Sequence, residues 1–244
     1  MARFFEISSE SARPPSMARL RQRGQAFLPL ILSVFLLVLG LPRLASSLTM
    51  LPAQQVVDGI EQDRTISDEI IESSETRLSI ARHFSTSGRI AIDLAAVKLA
   101  EADRLPARAQ GTRAALASDA VALLEQGLSV DPANSFGWSR LAYGRSLENA
   151  LEGEAVDAWR MSVLTAPTDR RLSLWRARFG IESARGFAEG DQALLDQQIH
   201  FAWAYLPDAL ARYAKPSGPQ VIQAIRAALS DQPNELKRFD EMIR

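Results

Sequence analysis

No cysteine occurs anywhere in the 244 residues. That absence excludes disulfides, thiolate metal sites, a cysteine nucleophile and a lipidated cysteine of the bacterial lipoprotein kind. It is compatible with an oxidising compartment without demonstrating one. Histidine is almost as scarce. His83 and His200 lie far apart, and neither has a carboxylate or second histidine at metal-ligand spacing. A glycine-rich phosphate loop, a G-x-S-x-G elbow and an H-E-x-x-H pair are all missing. Carboxylate pairs such as Asp68/Glu69 and Glu152/Glu154 fall at turns or on solvent faces. The expectation is a protein that is not an enzyme and takes no cofactor or metal. Charge of one sign is also lacking: the formal net charge of −1 argues against a nucleic-acid binder, which would be clearly basic. Missing, too, is any β-branched alternation bounded by hairpin turns.

What is present begins with a long uncharged run. "GQAFLPLILSVFLLVLGLP", residues 24–42, holds no charge. As a helix rising about 1.5 Å per residue, it would reach about 28 Å, close to the hydrocarbon thickness of a bilayer. A core helix normally keeps a polar face, and this stretch offers only Gln25 and Ser33, so a transmembrane helix is expected. Ala45 and Ser47 have the small-residue spacing of a signal-peptide cut. Against cleavage stand the long segment ahead of the run and Arg43 beside the cut, so an uncleaved anchor is the better reading. Arg13, Arg19, Arg21 and Arg23 precede the run and only Arg43 follows it closely, which keeps the N-terminus in the cytoplasm and exports the rest. In a Gram-negative-type cell, the body would then lie in the periplasm beside the inner membrane. Residues 1–23 read as a basic cytoplasmic tail.

Beyond the run, the chain reads as helix after helix. "IAIDLAAVKLAEA" (90–102) and "AALASDAVALLEQGL" (114–128) repeat apolar residues at spacings of three and four, and both are rich in alanine and leucine. Residues 51–84 are acidic and amphipathic, one long or two short helices. The stretch "GLSVDPANSFGWSRLAYG" (127–144) is a hinge: Pro132 ends one helix and Asn134 or Ser135 caps the next. The same punctuation returns at "LTAPTDRRLSLW" around Pro167, at "AYLPDALARY" around Pro207 and at "LSDQPNELKRF" around Pro233. Between the first two prolines the order is Trp138, Leu141 and Ala142, then Ala155, Trp159, Ser162 and Pro167. That is the order of a tetratricopeptide repeat, in which small residues let paired helices approach and aromatics fill the groove. Arg145 stands where the repeat usually has an aromatic, and the flanking units are more degenerate. A generic helical bundle with proline turns is the alternative. The expected class is all-α, with the tail at 1–23, the membrane helix at 24–42, a membrane-proximal helical segment at 43–87, a helical-repeat domain at 88–230 and a C-terminal helix at 231–244.

Two surface features compete with plain packing. The tryptophans Trp138, Trp159, Trp175 and Trp203 could stack on sugar rings, but each has apolar neighbours at helical spacing, which favours core. In "DRRLSLWRARFGIESAR" (169–185), Arg171, Arg178 and Arg185 are seven apart and line one helical stripe, with Arg170 and Arg176 nearby. Such a stripe on an acidic body can hold an acidic partner or an anionic polymer. The alternative is a solvated face on which Arg178 pairs with Glu182.

The basic tail, single anchor and degenerate hairpins, followed by "RMSVLTAPTDRRLSLWRARFGIESA" and "LLDQQIHFAWAYLP", resemble the VpsP-type accessory proteins of bacterial exopolysaccharide clusters, over roughly residues 50–230. The resemblance implies an inner-membrane-anchored, non-catalytic helper that works with envelope polysaccharide-assembly proteins. It carries over no functional residue, because the family has no catalytic signature. Two other readings stay open: a helper in assembling another envelope complex, such as cytochrome maturation, and a glycan-acting enzyme. Oligomeric state and polymer identity are not encoded in any motif.

Overall fold

The computed structural model describes residues 32–38, 40, 67–84, 87–148 and 153–244. The chain divides into two units, Met1–Ala45 and Ser46–Arg244. In the first, residues 32–38 are helical and carry exposed apolar side chains, Leu36 and Val38 among them. Most of the expected membrane helix (24–42), and all of the tail at 1–23, lie outside the described residues. Among the described residues, no helix is long and apolar enough to cross a membrane.

The second unit is helical throughout its described residues, with no strand among them. Its helices are α1 (Asp68–Phe84), α2 (Gly88–Arg104), α3 (Gln110–Val130), α4 (Ser135–Glu148), α5 (Glu154–Thr165), α6 (Arg170–Glu182), α7 (Asp191–Tyr205), α8 (Pro207–Ser217), α9 (Pro219–Ala228) and α10 (Pro233–Ile243). Of the flanking segments given their own place by the sequence reading, 43–87 and 231–244, the described helices α1 and α10 lie in this same unit. α1 packs on α2, and α10 packs on α8. Apolar faces at both ends need covering, so the flanking helices join one continuous core running from Ile71 to Phe239.

All four proline hinges separate helices, by two different devices. At the first, Asp131 N–H donates to Gly127 O (2.9 Å), and Asn134 Oδ1 then caps α4 by accepting from Gly137 N–H (2.9 Å). At the second, Asp169 Oδ1 caps α6 by accepting from Arg171 N–H (3.0 Å). Pro207 and Pro233 instead occupy the first turn of the next helix, where a missing N–H has no intrahelical partner to lose.

The helices pair as hairpins: α2 with α3, α4 with α5, α6 with α7. α2 also touches α4, α4 touches α6 and α5 touches α7, so each hairpin stacks on the next. Within the first hairpin the backbones nearly meet. A Cβ on Gly88 would lie 2.4 Å from Gly127 O, and one on Gly127 would lie 2.7 Å from Ile92 Cγ1. Small residues therefore set the spacing of this pair. Of the residues that the sequence reading places in a repeat, Leu141, Ala142, Ala155 and Trp159 are buried to 2% exposure or less. Trp138 is only half-buried and anchors its hinge instead, its indole N–H donating to Pro132 O (2.8 Å). Pro167, exposed, offers its carbonyl to Gln198 Nε2 (3.0 Å) on α7.

Candidate interaction surface

On α4, Phe136, Arg140, Tyr143 and Leu147 fall on one stripe at helical spacing; on α6, Arg171, Trp175, Arg178 and Glu182 do the same. The two stripes are offset by 35 residues and interlock. The Arg171 guanidinium lies 4.4 Å from the Phe136 ring centroid, and that of Arg140 lies 6.0 Å from the same ring. Arg178 sits 4.7 Å from the ring of Tyr213 on α8. These are cation–π distances, and they hold flexible side chains in fixed positions. Arg140 also reaches Asp93 on α2 (3.7 Å), and the Tyr143 hydroxyl donates to Asp103 at the end of α2. The result is a face on which arginine and aromatic alternate across α4, α6 and α8. Arg171 and Arg178 are exposed on it, while Phe136, Trp175 and Tyr213 are half-buried.

The electrostatics of this face follow from burial and pairing. Burial, then Asp103, pushes the Tyr143 hydroxyl above its usual range; burial, then Glu182, does the same to Tyr213. Both therefore stay neutral donors. Burial alone would raise the Asp169 carboxyl, but the hydrogen bonds and charge of Arg171 outweigh it and hold the group below the usual range.

The three arginines expected to share one helical stripe lie on two different elements. Arg171 and Arg178 share the α6 face, but α6 ends at Glu182, and Arg185 lies in the short turn Ala184–Gly186 beyond it, exposed. Ser183 N–H makes the last α-helical bond, to Phe179 O (2.9 Å), and Gly186 N–H then closes a tighter turn onto Ser183 O (2.9 Å), so the seven-residue spacing loses its meaning one turn too early. Arg176 is not on the surface at all. It is wholly buried, donating to the hydroxyl of Ser162 (3.1 Å), to Ser162 O and to Ala166 O (2.7 Å). Burial pulls its pKa down to about 10, still charged at neutral pH. The expected Arg178–Glu182 pair is replaced by a shared partner: Glu182 accepts from the Tyr213 hydroxyl (3.1 Å), under the Arg178 guanidinium.

No match was found in comparisons with family models, curated proteins or solved structures. Neither the tetratricopeptide pattern nor the resemblance to exopolysaccharide accessory proteins gains support from that side.

Four side chains outside the expected set organise the molecule. Arg160 grips buried Asp191 with two hydrogen bonds (2.6 and 2.7 Å), and Asp191 also accepts from Ala188 N–H (2.8 Å). Arg140 and Phe136 complete the interlocked face. A signal for the last two is present: shifting Phe136, Arg140 and Tyr143 by 35 residues lands on Arg171, Trp175 and Arg178. Nothing in the sequence links Arg160 to Asp191. Of the four tryptophans, Trp159 and Trp203 are buried as expected, while Trp138 and Trp175 are half-exposed. His83 turns Nδ1 to Ser79 O (2.9 Å) and His200 turns Nε2 to Ala228 O (2.7 Å). Among the described residues, no group of three metal-ligating side chains converges.

Proposed function

We propose that this chain is a membrane-anchored, non-catalytic scaffold or accessory protein of exopolysaccharide biosynthesis or export. Its tetratricopeptide-like hairpins present a partner-binding surface on the periplasmic side of a bacterial inner membrane. The observation that carries the reading is the interlocked face of Arg140, Arg171 and Arg178 with Phe136, Trp175 and Tyr213. Arginine and aromatic side chains are those that dominate binding energy at protein interfaces, and here their rotamers are already restrained. Stacked hairpins supply an extended rigid support for such a face. The uncharged run at 24–42 and the basic tail before it support the anchor and its orientation. The likeness of residues 50–230 to exopolysaccharide accessory proteins supports the pathway.

The test is crosslinking of the tagged, full-length chain in its own cells, followed by affinity purification from membranes and mass spectrometry of what is captured. Recovery of polysaccharide polymerase, chain-length or export components is expected. Recovery of cytochrome-assembly factors instead, or of no envelope-assembly protein, overturns the reading.

A further inference from the structure

A second, separate feature lies at the C-terminal end of the second unit. Gln197, Phe201 and Tyr205 follow one another at four-residue spacing along α7 and form one stripe. With Gln232, just ahead of α10, and Arg238, in the middle of α10, they border a groove of about 530 Å³, within the range of about 300–1,000 Å³ typical of small-molecule clefts. Its walls are fixed from behind. The Trp203 indole N–H donates to Glu235 Oε2 (2.7 Å), and the Trp203 ring stands edge-on to Phe239 at 5.7 Å. His200 is held by Ala228 O (2.7 Å). The Phe201 and Tyr205 rings are parallel to within 8°, 6.1 Å between centroids, and Tyr205 is 50% exposed. The amides of Gln197 and Gln232 have no hydrogen-bond partner among the described residues.

The chemistry of this groove is divided in a particular way. Aromatic rings lie next to amides that each donate and accept, with two guanidiniums beside them: Arg238, 3.6 Å from Glu235 and 5.5 Å from the Trp203 centroid, and Arg170, 5.8 Å from the Tyr205 centroid. An apolar peptide helix would strip water from the amides and from Arg238 and return nothing. A compact anion would meet the carboxylate of Glu235, which lines the groove and already pairs with Arg238. A pyranose ring uses both halves: its C–H face lies on an aromatic ring, and its hydroxyls, each donor and acceptor, match side-chain amides. We propose that this groove binds an oligosaccharide, one sugar ring stacking on the Tyr205–Phe201 pair while Gln197, Gln232 and Arg238 hold its hydroxyls. This site goes beyond the partner surface, whose arginines belong to α4 and α6.

The test uses the full-length chain, purified in mild detergent, on an array of bacterial and plant oligosaccharides covering neutral, aminated and uronic-acid sugars. The best ligand is then titrated calorimetrically. Saturable binding is expected, weakened at least tenfold by Tyr205→Ala and by Gln232→Ala; both residues are exposed, so the thermal melt should stay unchanged. Arg185→Gln serves as a control that leaves binding intact. Absence of saturable binding to any sugar overturns the inference, as does binding that both substitutions leave untouched. The outcome is independent of the partner search: polysaccharide-assembly proteins captured without sugar binding would remove the groove and leave the scaffold, and sugar binding without those partners would do the reverse.

Discussion

The seam inside the first hairpin and the joint between the second and third hairpins hold helices together by opposite means. Between α2 and α3 the contact is apolar and very close, with Gly88, Ile92, Leu124, Gly127 and Leu128 all buried. Where α5 meets α6 and α7, the connection is polar. Arg176 donates to Ser162 O and Ala166 O, Trp159 Nε1 donates to Arg176 O (3.0 Å), Gln198 donates to Pro167 O (3.0 Å), and Arg160 clasps Asp191. The last carbonyls of a helix have no intrahelical donor. Here the next hairpin supplies the donors for the end of α5, so capping that helix and stacking the third hairpin are the same set of bonds. A dry seam tolerates no added volume; a polar joint tolerates no lost donor.

The largest effect should come from removing the central donor. Arg176→Met fills much of the space but removes three charge-assisted hydrogen bonds, leaving Ser162 O only Thr165 Oγ1 (3.2 Å), Ala166 O only Asp169 N–H (3.2 Å) and the Ser162 hydroxyl only Ser135 O (3.0 Å), a loss of about 2–4 kcal/mol. Urea unfolding monitored by circular dichroism would read it. Arg176→Lys should recover part of the loss, because an ammonium reaches some of these acceptors but lacks the fork that serves all of them. Equal stability of Met, Lys and Arg at this position would mean that the joint is held by packing alone.

The seam responds to the opposite change. In Gly127→Val, the new Cβ meets Ile92 Cγ1 at 2.7 Å and Gly88 O at 2.8 Å. The side chain of Ile92 can turn aside, but the backbone oxygen of Gly88 cannot without separating the helices. A cost of about 1–3 kcal/mol is expected, again by urea unfolding, with only partial rescue by Ile92→Ala. Full rescue would show that the backbones are free to part and that close approach is not what holds this pair.

This contrast also explains what the sequence reveals. The seam was legible because small and apolar residues at helical spacing have one common use, and Ala120, Leu124 and Gly127 fall in register with Ile92 and Ala95. The hinges were legible for a similar reason: proline and a capping Asn134 or Asp169 act locally, within a few residues. The polar joint was not. Arg176 belongs to a run of five arginines between 170 and 185, and only the tertiary position of Ser162 and Ala166 distinguishes the buried one. Asp191 looks like an acid favoured at a helix start, and its partner Arg160 lies a whole hairpin away. The interaction surface sits between these cases. Arg171 and Arg178 could be read from spacing and Phe136 from the 35-residue offset, while Tyr213 entered only when the hairpins stacked.

A smaller effect separates the two regions by pH. The Arg160 hydrogen bonds hold the Asp191 carboxyl below its usual value of 3.8, against the opposing effect of burial. A carboxyl depressed in the folded state stabilises the fold above its unfolded pKa and loses that contribution as pH falls through the folded one. Stability from the joint should therefore be complete near neutrality and fall below about pH 4. Asp191→Asn should cost about 1–2 kcal/mol at pH 7, since Arg160 also keeps Asp157 at 2.7 Å, and should flatten the acid limb. Thermal melts from pH 7 to pH 3 on both proteins would show the two curves converging. Parallel curves would mean that Asp191 is not the group whose protonation loosens the joint.

The smallest expected effect distinguishes surface from ornament among the arginines. Arg185 lies past the end of α6, exposed, whereas Arg171 and Arg178 lie against Phe136 and Tyr213. Exchanging any one of the three for glutamine should change stability by no more than about 1 kcal/mol, with Arg185 nearest zero. Partner capture is where they should diverge. Arg171→Gln and Arg178→Gln each remove a charge whose position an aromatic ring fixes, so each should lower recovery of crosslinked partners severalfold, while Arg185→Gln should leave recovery unchanged. The physical reason is entropic. A guanidinium already held over a ring loses little freedom when a partner arrives, whereas a free one at a turn must be ordered first. If all three substitutions reduced capture equally, the partner would be reading net charge rather than the interlocked face, and the alternation of arginine and aromatic along α4 and α6 would have only a structural meaning.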